Sequence, residues 1–434
     1  MTGIQAARNV QDFPADEGRA GPGPAAHFAI NRRLGCPPGL RAASGTGTIA
    51  GLPGLPTARE RVLPRVEGCY PSKCAGEPLA QGYGNTRMKP QGKKIAVVGA
   101  GAIGSSVSAD LTRAGYDITV IDQWPAQVEA LKATGLHIQM ADGDVRVPIR
   151  ALHLCELAGM NLAFDIVLLA VKSYDCRWLA EFIRPYLKDD GVLVGVMNGM
   201  NDDSLAAIVG RGRTVGCVVE LSAEIFTPGL VQRNTTHQGT WFSVGELDGY
   251  YTPRVKEIQS IMSHVGRCDV TNNIHGAKWT KLIANTMTMG PHGLLGLPNG
   301  EAAVLPGIAD IAVKIGRESL AVGAAIGYRI EPIFGLRADE FAGSSDENLV
   351  TARDTLMHHV GGRSRTAPIH DHIKGRRSEM EFITGLVSRK GRELGIPTPC
   401  NDAVREIDRR INAGEIPMAP SNFELLKKQV RGEE

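Results

Sequence analysis

The run Lys94-Ile95-Ala96-Val97-Val98-Gly99-Ala100-Gly101-Ala102-Ile103-Gly104 decides the fold. Ile95 to Gly99 is a short apolar stretch of strand length, and glycines follow it directly. A helix is predicted from about Ile103 to Ala114, ended by Gly115, and Asp117 to Asp122 (DITVID) reads as a second strand. The glycine spacing is G-x-G-x-x-G. In a chain with 52 glycines a bare match carries little weight, and the strand before it, the helix after it and the acidic end of the next strand supply the weight.

The alternation continues outward. Asp165 to Val171 (DIVLLAV) and Gly191 to Val196 (GVLVGV) read as further strands separated by a helix. Strands alternating with helices imply a parallel sheet covered on both faces. After about residue 270 the texture turns helical. One helix is expected from roughly His275 to Met289, stopping before Pro291. A second carries Ile308, Ile311, Ile315 and Val322 at helical spacing, and a third runs from about Asp371 to Leu394, ending at Gly395. The fold class is therefore α/β: an N-terminal Rossmann dinucleotide-binding domain over residues 91–270, then an all-helical domain over residues 271–434 that would carry substrate and catalytic groups. Residues 1–90 lack either periodicity and are rich in Gly, Pro and Ala (GPGPAA from Gly21, AGLPGLP from Ala50), which predicts a disordered extension. The functional polypeptide is expected to start near Met88.

The bulk numbers narrow the function classes. The chain has 434 residues, 43% hydrophobic and 22% charged, enough for two ordinary domains. A net charge of +2 gives no reason to expect nucleic acid or an anionic membrane as partner. No apolar stretch approaches the roughly 18 residues of a membrane span. The eight cysteines form no C-x-x-C pair and no His-Cys cluster with zinc spacing, so no metal is expected. Scattered thiols fit a reducing compartment, which predicts the cytoplasm.

In the glycine loop each position has a physical task. Gly99 permits the tight turn, Gly101 lets the backbone approach a pyrophosphate, and Gly104 lets helix and strand pack closely. With Ala100, Ala102 and Ile103 they would form the cofactor-binding loop at a helix N-terminus, whose free N–H groups and positive dipole end suit an anion. Asp122 lies 18 residues after Gly104, at the end of the second strand, where a carboxylate can accept hydrogen bonds from the adenosine ribose. Against an NADP 2′-phosphate it would repel by roughly 4 kcal/mol at ~4 Å and an effective dielectric of ~20, before solvent screening. NAD is thus the favoured form of the NAD(P)H cofactor, unless Asp122 merely caps the next helix.

Reducing a ketone builds negative charge on its oxygen, so a site for that chemistry needs a proton donor or a cation. Lys281 and Asn285 are four apart and share one helical face. A lone lysine on a helix is usually a solvated charge, and Lys278 is equally available. Glu379 precedes Phe382, Ile383 and Leu386 by three, four and seven residues, an apolar face for a glutamate; a salt bridge to Arg376 is the plainer reading. Asn198-Gly199 follows the strand ending at Val196, where ligands sit in open parallel sheets, although such pairs are often simple turns.

From about Lys94 onward the chain resembles the ketopantoate reductases. The residues that carry the resemblance are GAGAIG, Val171-Lys172, Met197-Asn198-Gly199-Met200, Lys281-x-x-x-Asn285, Pro298-Asn299-Gly300 and Gly375-Arg376-Arg377-x-Glu379. It implies a 2-dehydropantoate 2-reductase of pantothenate biosynthesis, an oxidoreductase in which Lys281 is the general acid and Glu379 positions that lysine and the substrate hydroxyl. Asn198, Asn285 and Asn299 would bind substrate and cofactor groups, and Lys172 would border the cofactor. The partner would be a small 2-oxo acid. Helical second domains of this sort often dimerise, so a homodimer joins the expectations, with no seam readable in the sequence.

The chain departs from the family's pattern at four points, one of them Asp122, since the family mostly favours NADPH. Met289 stands where a second asparagine is usual, and Ala367, beside Thr366, where a serine helps bind the substrate carboxylate. The segment between Asn299 and Glu379 is also longer than usual. Losing two polar contacts would cost a few kcal/mol of binding unless replaced, and Arg363, Arg365 or His370 are the candidates to replace them. Two other readings follow: a dehydrogenase of a different 2-hydroxy or 2-oxo acid, and a non-catalytic NAD-binding sensor indifferent to Lys281.

Overall fold

The structure is a computed structural model, and it describes residues 92–332, 337–339 and 346–432. The disordered extension expected over residues 1–90 lies outside the described residues. The first strand, β1 (Lys94–Val98), is buried from its second residue onward. It leads into α1 (Ala102–Arg113), β2 (Asp117–Asp122) and α2 (Pro125–Thr134). A hairpin of β3 (Leu136–Met140) and β4 (Gly143–Val147) follows, then β5 (Arg150–His153), α3 (Leu154–Ala158) and β6 (Phe164–Leu169). Next come α4 (Cys176–Ile183), β7 (Leu187–Val196), α5 (Asp202–Val209) and β8 (Thr214–Glu220). The last part of this layer is β9 (Ala223–Thr227), β10 (Leu230–Arg233), β11 (Trp241–Glu246), α6 (Pro253–Met262) and β12 (Arg267–Val270).

The main sheet has eight strands in the order β12-β11-β8-β7-β6-β1-β2-β5. The six from β8 to β5 run parallel, while β11 pairs antiparallel with β8, with Trp241 opposite Glu220. The chain leaves β1 in one direction to β2 and returns on the other side as β6, so a crevice opens at the carboxyl ends of β1 and β6. Two apolar cores cover the two faces of the sheet, one around Val97, Leu111 and Val194, the other around Val98, Leu169 and Leu193. A second sheet, β4-β3-β10-β9, was not foreseen, since its strands are short and their exposed faces polar.

This small sheet is tied to α1 by a buried charge pair. Arg233 on β10 is 1% exposed, and it donates to Asp110 on α1 at 2.6 Å, to Thr240 Oγ1 at 2.8 Å and to the Val265 carbonyl at 3.0 Å. Each donation offsets part of the large cost of taking a guanidinium out of water.

The helical layer is built on α7 (Ile274–Gly293), of which every residue but His275 is buried. Around it pack α8 (Asn299–Ala303), α9 (Ile308–Ile326), α10 (Asp346–Val360), α11 (Ala367–Ile373), α12 (Thr384–Leu394), α13 (Pro399–Asn412) and α14 (Asn422–Arg431). Two helices differ from expectation. The first runs through Pro291 to Gly293: the proline falls in its last turn, where one lost backbone bond costs little against the buried packing around it. The single helix expected from Asp371 to Leu394 is instead α11, a 3₁₀ turn (Met380–Phe382) and α12. Gly375 lies between them at φ +65°, a left-handed turn that ends α11.

Removing Asp110 leaves the Arg233 guanidinium buried without its counter-charge. Asp110→Ala is expected to lower unfolding stability in urea by about 3–5 kcal/mol, and the double change Asp110→Leu with Arg233→Met to recover most of that loss. Equal losses in the single and double variants would show that the pair carries no such weight.

Candidate active site

The crevice at the ends of β1 and β6 is roofed by the helical layer, and the two together form one cleft. The glycine loop makes its floor. Gly99 turns the chain at φ +102° and donates its N–H to the Ile121 carbonyl at 2.8 Å. A Cβ on Gly99 would stand 2.4 Å from the Ala170 carbonyl oxygen, and one on Gly104 would stand 1.9 Å from the oxygen of Gly99. At Gly101, the N-cap of α1, a Cβ would meet nothing within 4 Å. Two glycines are therefore demanded by packing, and the third leaves open space before the free N–H groups of α1. That space and those donors fit a dinucleotide pyrophosphate.

Gly101, Ala102 and Ile103 face the cleft with Gly99, whereas Ala100 and Gly104 are buried behind them. The Ala100 N–H is taken by Asp122 Oδ2 at 2.5 Å, and the other Asp122 oxygen accepts from the Trp124 N–H at 2.6 Å. Asp122 thus braces the glycine loop as well as lining the cleft. Burial pushes its carboxyl up, opposed by these backbone donors and by the Arg376 guanidinium. Arg376 comes from the helical layer and lies 5.4 Å over the Trp124 ring.

Lys172 follows β6 and bridges the layers: its ammonium lies 2.7 Å from Asp371 and 2.9 Å from Glu379. Burial works against that charge, but the two carboxylates outweigh it and hold the ammonium above its ordinary value. Glu379, 4% exposed, also accepts from the Ser173 backbone N–H at 2.9 Å and its hydroxyl at 3.1 Å. It sits just before the 3₁₀ turn and not within a helix, so its burial comes from these partners rather than from an apolar helical face.

Lys281, Asn285 and Met289 lie at successive turns of α7 and all line the cleft. Lys281 is 8% exposed and bonded to the carboxylate of Glu220, the last residue of β8. Glu220 was not singled out in the sequence; the only available signal was a glutamate closing an otherwise apolar strand. Lys278, the other available lysine, is turned away and paired with Asp202 at 2.9 Å. Asn285 donates to the Asn198 side-chain oxygen at 3.1 Å. Asn299 opens α8, donates to Ser364 Oγ at 2.9 Å, and lies 3.3 Å from the ring of His292, whose pKa burial lowers to about 4. Of the residues expected to hold a carboxylate, Arg365 and His370 line the cleft and Arg363 does not. His370 is 3.0 Å from Glu224. Thr366 lines the cleft, and its hydroxyl oxygen is buried without a protein hydrogen-bond partner. No helix among the described residues is long and apolar enough to cross a membrane, and they hold no cluster of metal-binding side chains.

Residues 95–247 match the family described as "Ketopantoate reductase PanE/ApbA", and residues 273–411 match "Ketopantoate reductase PanE/ApbA C terminal". The chain belongs to the ketopantoate reductase family. It is similar to 2-dehydropantoate 2-reductases of Archaeoglobus fulgidus (26% identical over 74% of this chain and 99% of the relative) and Mesorhizobium japonicum (28%, 73% and 97%). Among solved structures it is similar to a PanE/ApbA family ketopantoate reductase from Ralstonia eutropha JMP134, with TM-score 0.63 and 25% identity over 74% of this chain and 99% of that one. A D-mandelate dehydrogenase with NADH and anilino(oxo)acetate shares the fold at TM-score 0.66 and 21% identity, over 74% and 99% of the two chains. The protein is an NAD(P)-dependent oxidoreductase of this family.

Gly101→Ala should leave the melting temperature near wild type and abolish NADH binding by calorimetry, whereas Gly104→Ala should unfold the protein; retained binding by Gly101→Ala would show that no phosphate approaches there. Lys374, which faces Asp371, Glu224, Lys172 and Arg376, is pushed down to about 8 by burial. It is charged below that pH and neutral above. Binding of anionic NADH should therefore weaken as pH rises from 7 to 9, and Lys374→Met should flatten that dependence.

Proposed function

We propose that this ketopantoate reductase-family protein is a cytoplasmic reductase of a 2-oxo acid, with ketopantoate as first candidate and Lys281 as general acid. The observation that carries the reading is the buried Lys281 at the wall of the cleft that the glycine loop also lines. In this reading residues 91–270 form the dinucleotide-binding domain and residues 271–434 the substrate domain. The reduced nicotinamide, when bound, supplies a hydride to C2 of the substrate. Lys281 then gives its proton to the C2 oxygen, whose developing charge the ammonium also stabilises. Asn285 and Asn198, already bonded to each other, would orient the substrate and the cofactor amide side of the cleft. Asn299 would face the substrate. Glu379 would bind the substrate hydroxyl, and Lys172 would border the cofactor. Arg365 and the Thr366 hydroxyl are the groups best suited to the substrate carboxylate, in place of the serine that Ala367 replaces.

Asp122 favours NADH over NADPH in this proposal, because a 2′-phosphate would meet a second negative charge in a half-buried setting. Free thiols at Cys155, Cys176, Cys217, Cys268 and Cys400 are in keeping with a reducing compartment. A homodimer belongs to the same reading. A second reading changes the substrate only. Met289 and Ala367 give the cleft apolar wall where the family has polar groups, which favours a 2-oxo acid with a branched or otherwise apolar tail.

The test is a panel of 2-oxo acids including ketopantoate, with NADH and NADPH oxidation followed side by side. Lys281→Ala is expected to lower kcat by about 10²–10⁴ while NADH still binds, the range typical for a positioned acid. Turnover indifferent to Lys281→Ala would overturn the assignment, and tight NADH binding with no turnover on any acid would favour a sensor.

A further inference from the structure

Reduction of a ketone consumes a proton at every turnover, so a general acid must be recharged. At 8% exposure Lys281 has little contact with solvent, and its open side is the cleft that cofactor and substrate would fill. Behind it lies Glu220, 5% exposed and bonded to the lysine ammonium. Glu220 lines the cleft on one side and a second cavity of about 660 Å³ on the other. Lys281 lines only the first, while Ala277, one turn earlier on α7, lines the second.

The second cavity is lined by Trp241, which lies opposite Glu220 in the sheet, and by the polar side chains of Thr240, Ser243, Asp269 and Asn272. Its mouth reaches the surface at Tyr251, which is 59% exposed, and at the exposed Arg267. Polar walls and such room suit a file of waters, each needing only two to four polar partners. Asp269, Glu331, Arg267 and Arg337 are the charged groups on that side, and Lys281 faces Glu220 from α7. A carboxylate shared by a polar-lined cavity and a buried amine sits where a proton carrier is needed.

We propose that Glu220 relays protons from the second cavity to Lys281; the proposal rests on Lys281 being the general acid. When the ammonium has given its proton to the C2 oxygen, the pair consists of a neutral amine and a carboxylate. A solvent proton adds to Glu220 through the second cavity, forming the acid O–H. That O–H then donates to the lone pair of Lys281 Nζ, restoring the ammonium and the carboxylate. The hydride comes from the reduced nicotinamide, and one solvent proton is consumed for each alcohol formed.

The experiment uses the full chain with NADH and whichever 2-oxo acid of the panel the wild type reduces fastest, near pH 6. Glu220→Gln keeps a hydrogen-bonding side chain beside Lys281 and cannot carry the proton. Its first turnover, read by stopped flow, is expected within about threefold of wild type, while the steady-state rate falls about 10–100-fold, a share of what a positioned acid contributes. Imidazole, small enough to enter the second cavity, should restore steady-state turnover as its concentration rises. A first turnover slowed as much as the steady state would make Glu220 only a holder of Lys281 and overturn the relay, as would an unchanged steady state. Should Glu220→Gln fail to fold, the wild type still decides: a curved proton inventory in mixed H₂O and D₂O supports two protons in flight, and a linear one overturns the relay. A wild type inactive on every acid overturns the reductase reading itself, whereas an active wild type with a failed relay leaves that reading standing.

Discussion

Two ion pairs made by one buried helix tie the two layers of this protein together. Lys278 and Lys281 both project from α7 into the interface with the sheet. Asp202, at the start of α5, answers the first, and Glu220, at the end of β8, answers the second. An ion left unpaired at such depth costs several kcal/mol, so seatings of the helix that break either pair are disfavoured. The register that satisfies both pairs is the one that brings Asn285 to Asn198 and sets Met289 in the cleft wall. Binding geometry is in this sense a by-product of charge neutralisation.

The glycine loop shows the same economy in the backbone. Gly99 and Gly104 are packed so closely that neither can bear a methyl group, and Asp122 bonds the loop from the neighbouring strand. The carboxylate that reads as a cofactor determinant thus also has a duty to the fold. A substitution there would disturb loop shape and ligand preference together, since both oxygens already accept backbone N–H groups.

Much of the sheet layer was legible because its signals are local. Strand β2 runs over the stretch its alternation marked, and α1 begins one residue before the expected start. The helical layer was less legible, since tertiary packing there overrides local rules. Pro291 stays inside a helix because its turn is buried, and the expected helix around Glu379 is broken by the left-handed turn at Gly375, beyond which Lys172 and Ser173 bond that carboxylate. Within the site, spacing put Lys281 and Asn285 on one face of α7, and the family resemblance was needed to choose Lys281 over Lys278. Glu220 could not be named, because its partner is 61 residues away and nothing local distinguishes a paired glutamate from a solvated one. The small sheet escaped notice for the same reason: β3 and β10 meet from distant parts of the chain.

The Lys172 cluster has a mechanical consequence. One ammonium from the sheet grips two carboxylates, Asp371 and Glu379, that stand on either side of the Gly375 turn. Any hinge motion that parted the layers on that side would have to sever both contacts at once and expose three charges to a changed medium. Arg376 belongs to the same clamped segment: its backbone N–H donates to the Asp371 carbonyl at 2.8 Å, so the guanidinium over the Trp124 ring is carried by the stretch that Lys172 holds.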